Sequence, residues 1–208
     1  MTRSLTTAAL AAALVLGMGA CDGDATGAAA GESRMEVAMR GDDGGSSGAS
    51  ASRASDARYS LGGGASGSVE VRARVWVETR AGEWVEVTNG AESETVEASG
   101  SDGGRLLASA KVDASEYRRV RVEFDRVQAN VVGSITIGTG LLSGSVSVNS
   151  GTDGTIVVER DVDFQARAGA TSHIDVNLNA QEWLQSADAE THAVAEAEFR
   201  NAVTIAAS

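Results

Sequence analysis

From Ala114 to Val131, ASEYRRVRVEFDRVQANV, strand-forming residues keep the longest beat in the chain. Val120, Val122 and Phe124 alternate with Arg119, Arg121 and Glu123, which puts apolar side chains on one face and ions on the other. Such a strand needs a second layer over its apolar face. At Asp125-Arg126 the pattern shifts by one residue, and Val127, Ala129 and Val131 resume it. One extra residue restores alternation to the same face, so the spacing predicts a bulge or a sharp corner inside one long strand. A tight turn between two strands is the alternative, and the absence of Gly at Asp125-Arg126 counts against it.

The same habit extends on both sides. Val69, Val71, Ala73, Val75 and Val77 alternate with Glu70, Arg72, Arg74, Trp76 and Glu78; Ala81-Gly82 makes a turn, and Trp84 to Val87 continues as an antiparallel partner. Thr95-Val96-Glu97 is a weak strand, and Leu106 to Val112 leads into the long stretch. Beyond it, Ser134 to Ile137, Ser145 to Val148, Ile156 to Glu159, Val162 to Ala166 and His173 to Leu178 read as short strands between Gly-rich turns. Roughly eight to ten strands result, with no helix long enough for a βαβ unit, which favours an antiparallel sandwich or barrel. Near the end, Asn179 with Glu182 three residues on predicts a short helical turn at Trp183. A strand is expected from about His192 to Ile205, although its Ala and Glu content also suits a helix.

The start of the chain is of another kind. Arg3 is followed by Leu5 to Ala20 without a charge, too short for an easy bilayer crossing and ending in small residues, the pattern of an export signal. Met18-Gly19-Ala20-Cys21 resembles the lipobox of bacterial lipoproteins, with Met18 where the family prefers Leu. The resemblance covers residues 1–21 and implies that Cys21 is acylated, becomes the mature N-terminus and holds the protein on a lipid bilayer in the cell envelope. At roughly 0.8 kcal/mol per buried methylene, a multi-chain anchor is effectively permanent. Asp22 directly after it resembles the inner-membrane retention signal of some bacteria, though the rule is not general, and the choice of membrane stays open. An ordinary secretory cleavage beside an unmodified Cys21 is the alternative.

Residues 21–67 then read as a Gly/Ser-rich flexible tether with one candidate short strand at 34–40, because few apolar groups could offset the entropy of ordering it. Residues 68–208 are the β-sandwich domain. Residues 68–184 also resemble a bacterial lipoprotein domain, domain of unknown function 4382, through Tyr117, Val120 and Arg121 in the long strand and Asp175 in a closing one. The Asp-rich opening common in that family is absent. The resemblance implies a prealbumin-like sandwich on a lipid anchor and no established chemistry. The expected fold class is therefore all-β, an antiparallel β-sandwich of prealbumin or immunoglobulin type.

Composition narrows the chemistry. Cys21 is the only cysteine, which excludes an intramolecular disulfide and a thiolate cluster. The net charge is −12, and one unit more negative once Arg3 leaves with residues 1–20, so a polyanion such as nucleic acid is an unfavourable partner. Arg118, Arg119 and Arg121 are interspersed with Glu116 and Glu123. His173 and His192 are the only histidines, short of the three ligands a zinc site needs, and no G-x-S-x-G elbow exists. Asp161 and Asp163 share a strand face, as solvated carboxylates commonly do. No cofactor is required; calcium is the one ion with candidate ligands, Asn149 and Asp153 in one loop and Asp42-Asp43 in another, without the EF-hand pattern. Trp76, outward if Val75 and Val77 face inward, and Trp84 are the candidate binding surface, for an envelope protein or a glycan. An aromatic content of 4% argues against an extended glycan strip. A noncatalytic interaction or structural module is the leading expectation, and a carbohydrate-binding or carbohydrate-active module the alternative.

Overall fold

The computed structural model describes residues 31–41, 66–98, 104–137, 140–150 and 154–208. In chain order the elements are β1 (Glu32–Arg40), β2 (Ser66–Thr79), β3 (Trp84–Glu86), β4 (Glu92–Glu97), β5 (Arg105–Asp113), β6 (Glu116–Ile137), β7 (Gly140–Asn149), β8 (Ile156–Gln165), β9 (Thr171–Asn177), α1 (Ala180–Leu184), β10 (Ala193–Ala195), α2 (Glu196–Ala202) and β11 (Thr204–Ala207). The smaller sheet has the order β11-β9-β1-β5. In the larger sheet the order is β10-β7-β6-β2-β3, with β4 also on β2 and β8 also on β6. The fold is all-β and sandwich-like. Most neighbours are antiparallel, while β1 with β9 and β7 with β10 run parallel.

The 22-residue β6 is the spine of the larger sheet. One edge pairs with β2 along its length; the other takes β8 over Glu116 to Phe124 and β7 from Gln128 onward. Val120, Val122 and Phe124 point inward, and beyond a register shift so do Val127, Ala129 and Val131. Arg72 faces Arg126 while Ala73 faces Phe124, so Asp125 is the extra residue of the expected bulge. A second shift lies at the other end. Glu78 faces Arg119 and Thr79 faces Tyr117, which leaves Arg118 as an extra residue and turns Tyr117 into the core. Its hydroxyl donates to the Asp113 carbonyl at 2.9 Å, its ring stacks on Phe164 at 5.3 Å, and burial, with the nearby Asp113 charge, pushes the phenol pKa up.

Two expected strands are longer than their patterns, β7 starting at Gly140 rather than Ser145 and β4 at Glu92 rather than Thr95, and others are joined. Ser134 to Ile137 continues β6 rather than forming a separate strand, because Gly133 absorbs an irregularity at φ 93° between Val131 and Ile135. Ile156 to Glu159 and Val162 to Ala166 are likewise joined, as β8, with Arg160 and Asp161 inside it. Arg160 survives there because its guanidinium leaves the sheet and donates to the carbonyls of Arg200 and Val203 at 2.6 and 2.8 Å.

Between the sheets the core is mostly valine, with Met35, Val37 and Met39 of β1 fully buried opposite the strands of the larger sheet. The short strand expected at 34–40 is thus the nine-residue β1 in the interior of the smaller sheet, between β5 and β9. The sandwich includes residues 32–40 as well as those from Ser66 onward, whereas residues 42–65 lie outside the described residues. At its end, Gly41 is pressed against β4: a Cβ there would lie 1.9 Å from the Glu97 carbonyl oxygen.

The C-terminal region corrects the expected single strand from His192 to Ile205. Val194 belongs to β10 in the larger sheet and Ile205 to β11 in the smaller one, so the chain must cross between layers. A continuous strand would stay in one sheet; α2 makes the crossing and carries Phe199 into the core. Phe199 meets Phe124 edge-on at 5.1 Å and Trp183 at 5.7 Å. The helical turn at Trp183 is present as α1, but Asn179 makes no side-chain cap. It sits in left-handed conformation at φ 46°, and its amide instead donates to the Ala202 carbonyl at 2.6 Å, tying α1 to the end of α2.

Replacing Phe199 by Ala should therefore remove the contact joining the helices to the larger sheet, at a cost of about 3–5 kcal/mol in urea unfolding. A loss below about 1 kcal/mol would show that α2 is peripheral to the core.

Candidate functional site

Across β3, β2, β6 and β8 the outer face of the larger sheet forms two registered rows. Trp84, Glu78, Arg119 and Asp161 make the first; Glu86, Trp76, Arg121 and Glu159 make the second. Strict alternation would send Arg118 and Arg119 to opposite faces. The bulge at Arg118 brings both to the same side, where they converge on one carboxylate.

That carboxylate is Glu78, only 3% exposed. Arg118 donates to it from Nη2 at 2.7 Å and Nε at 3.0 Å, and Arg119 from Nε at 2.5 Å. Hydrogen bonds from Arg118, and then from Arg119, outweigh desolvation and lower its pKa from an ordinary 4.5 to about 2. Arg121 bonds Glu159 at 2.6 Å, and Arg119 approaches the same residue at 3.7 Å. The other bulge repeats the arrangement with less buried partners: Asp125 meets Arg74 at 3.4 Å in a part-buried pair, and adjacent Arg126 meets Glu70 at 3.6 Å in an exposed one.

Trp76 and Trp84 lie diagonally on this face, both half-buried. The Arg121 guanidinium lies 4.2 Å from the Trp84 ring centroid and that of Arg119 5.7 Å, a cation–π stack over the indole. Trp76 is turned outward, yet its Nε1 is withdrawn from solvent and has no acceptor among the described residues. The structure therefore brings the two tryptophans together with Glu78 and Glu159, but the carboxylates are taken up by arginines and the arginines cover Trp84. Trp183 is a core residue, its indole donating to the Leu178 carbonyl at 3.1 Å.

A cavity of about 480 Å³ opens at the end of the sheet, lined by Thr79, Arg80, Glu83, Val85, Asp113 and Tyr117 among others. A neighbouring one of about 230 Å³ shares Arg80, Glu116 and Tyr117, with Arg80 and Glu116 bridged at 2.8 Å. Neither is lined by Trp76 or Trp84.

Asn149 is exposed at the end of β7; Cys21, Asp42, Asp43 and Asp153 lie outside the described residues. Among the described residues no three His, Cys, Asp or Glu side chains gather closely enough to hold a metal, and no helix is long and apolar enough to cross a membrane. The Glu78 cluster is what sequence reasoning missed. Its one signal was Tyr117, an aromatic out of step with Val120 that requires an extra residue between them. No family model, curated protein or solved structure matches the chain.

The depressed pKa of Glu78 favours folding at every pH above its unfolded value near 4.5, and this contribution fades as pH falls toward about 2. Melting temperature followed over that window should drop more steeply for the native chain than for Glu78→Gln, which is itself less stable at neutral pH because two guanidiniums lose their anion. Parallel curves would mean that Glu78 titrates with no preference for the folded state.

Proposed function

We propose that this is a noncatalytic lipoprotein of the bacterial cell envelope, anchored through acylated Cys21, whose β-sandwich is an interaction or structural module outside the cytoplasm. The observation that carries the reading is the uncharged Leu5 to Ala20 segment ending in Met18-Gly19-Ala20-Cys21. The mature chain would then run from Cys21 through the sandwich, with the bilayer as its first partner and an envelope protein or glycan as a further one.

The chemistry of the outer face supports a noncatalytic role. A general acid needs a carboxyl pKa raised toward the working pH, whereas Glu78 is held near 2 by two arginines. Its neighbour Glu159 is engaged by Arg121. Such a network fixes side chains and strands in place. A carbohydrate-binding reading draws on Trp76 and Trp84 sharing one face, but the guanidinium stacked on Trp84 occupies ring surface that a sugar would use.

Intact mass of the protein from the membrane fraction of a native host tests the anchor. Residues 21–208 plus acyl chains are expected, with Cys21→Ser shifting the protein to the soluble fraction. An unacylated soluble product beginning near Cys21 would replace the anchored module by a free secreted one.

A further inference from the structure

The most unusual surface lies away from the tryptophans. From Val127 to Thr152 the chain has no charged residue and no histidine, the longest such run in a protein whose net charge is −12. This run forms the far half of β6 and all of β7. Beyond Val132, which faces Ser66 at the start of β2, β6 has only β7 beside it among the described residues. On its other side β7 pairs with β10 over Ser147 to Asn149 alone, so among the described residues Gly140 to Val146 is an unpaired sheet edge. The edge of β6 at Gly133 to Ile137, also unpaired among the described residues, adjoins the start of β2 and is the shorter of the two.

The ribbon is seated firmly. Ile135 and Leu142 are buried beneath it, and Gly140 lies so close to Ala189 that a Cβ there would sit 2.8 Å from the alanine methyl. Its outer face carries Val132 at 61% and Leu141 at 67% exposure, among exposed Ser134, Thr136, Ser143 and Ser145. Sheet edges are ordinarily guarded by charges, proline or a covering segment. Here the edge has no charge, and the chain has no proline at all.

We propose that the β7 edge from Gly140 to Val146 is a self-association surface, where a second copy of this chain pairs its own β7 antiparallel about a two-fold axis. An open edge presents backbone donors and acceptors that another strand satisfies, and a two-fold contact needs one patch that complements itself. The second copy is the occupant because it brings a strand edge of the same kind, uncharged and unpaired among the described residues. Two molecules of net charge −12 repel, and elsewhere the outer faces carry ion pairs such as Arg34–Glu36, Arg40–Asp175 and Arg121–Glu159, which a second copy would have to desolvate. On the β7 ribbon two copies meet without like charge, and Leu141 is removed from water. The inference rests on the ribbon and is independent of the anchor at Cys21.

Sedimentation velocity over a concentration series, with protein carrying Cys21→Ser, tests it. A monomer–dimer equilibrium is expected that strengthens with salt as the net charge is screened. Leu141→Lys and Ser145→Lys, both at exposed positions, should each shift its midpoint to at least about tenfold higher concentration without changing the melting temperature. Leu106→Lys on the smaller sheet should leave it unmoved. A monomer at every concentration, or a dimer indifferent to both β7 variants, would overturn the proposal. So would salt-independent binding of the monomer to phosphatidylcholine vesicles that Leu141→Lys abolishes, which would assign the ribbon to a lipid surface.

Discussion

A β-strand alternates faces residue by residue, and the buried residues of the 22-residue β6 change parity between Tyr117 and Val120 and again between Phe124 and Val127. The strand keeps one side in the core only by carrying an extra residue at each change. β6 does so at Arg118 and again at Asp125. Two features of the larger sheet depend on these extra residues. The first turns Tyr117 inward to close the β5–β6 corner; the second returns Val127, Ala129 and Val131 to the core face where β8 gives way to β7.

Each interruption also has an electrostatic consequence. Two consecutive side chains emerge on the outer face, and in both places they are ions that find partners on β2: Arg118 and Arg119 at Glu78, Asp125 and Arg126 at Arg74 and Glu70. The pairs differ in burial and therefore in weight. The exposed pair at Arg126 is screened and contributes little, and the part-buried pair at Asp125, with only long contacts to Arg74, not much more. Glu78 is shielded, makes three short hydrogen bonds, and stays ionised far into acid. The packing that orders the strand thus also orders the charged face and, through Arg119 and Arg121, the cover over Trp84.

What could be read in advance follows from the same physics. Alternation of valines with ions announced β2 and β6, and the one-residue slip at Asp125-Arg126 was visible because apolar residues flank it on both sides. At Arg118-Arg119 the slip falls between two arginines, where either can face outward, and only Tyr117 betrays it. β1 was visible as a short beat, but its place between β5 and β9 depends on partners more than sixty residues away in the chain. α2 hides in an Ala/Glu-rich segment with valines at both ends; the need to cross between layers decides it, and that is a tertiary demand. The setting of Trp76 and Trp84 was half legible. Their face follows from parity, while the arginine stack over Trp84 follows from a register that no local pattern encodes.

Deleting Asp125 tests the role of β6 most directly, with thermal unfolding followed by circular dichroism beside Asp125→Ala. The alanine variant keeps the extra residue and is expected to melt cooperatively, with only the part-buried Arg74 pair lost. The deletion sends Val127, Ala129 and Val131 to the solvent side or drags β7 and β2 out of register, so no cooperative transition should remain. A deletion variant that melts cooperatively near the temperature of the native chain would contradict the claim that this strand's interruptions hold the sandwich together.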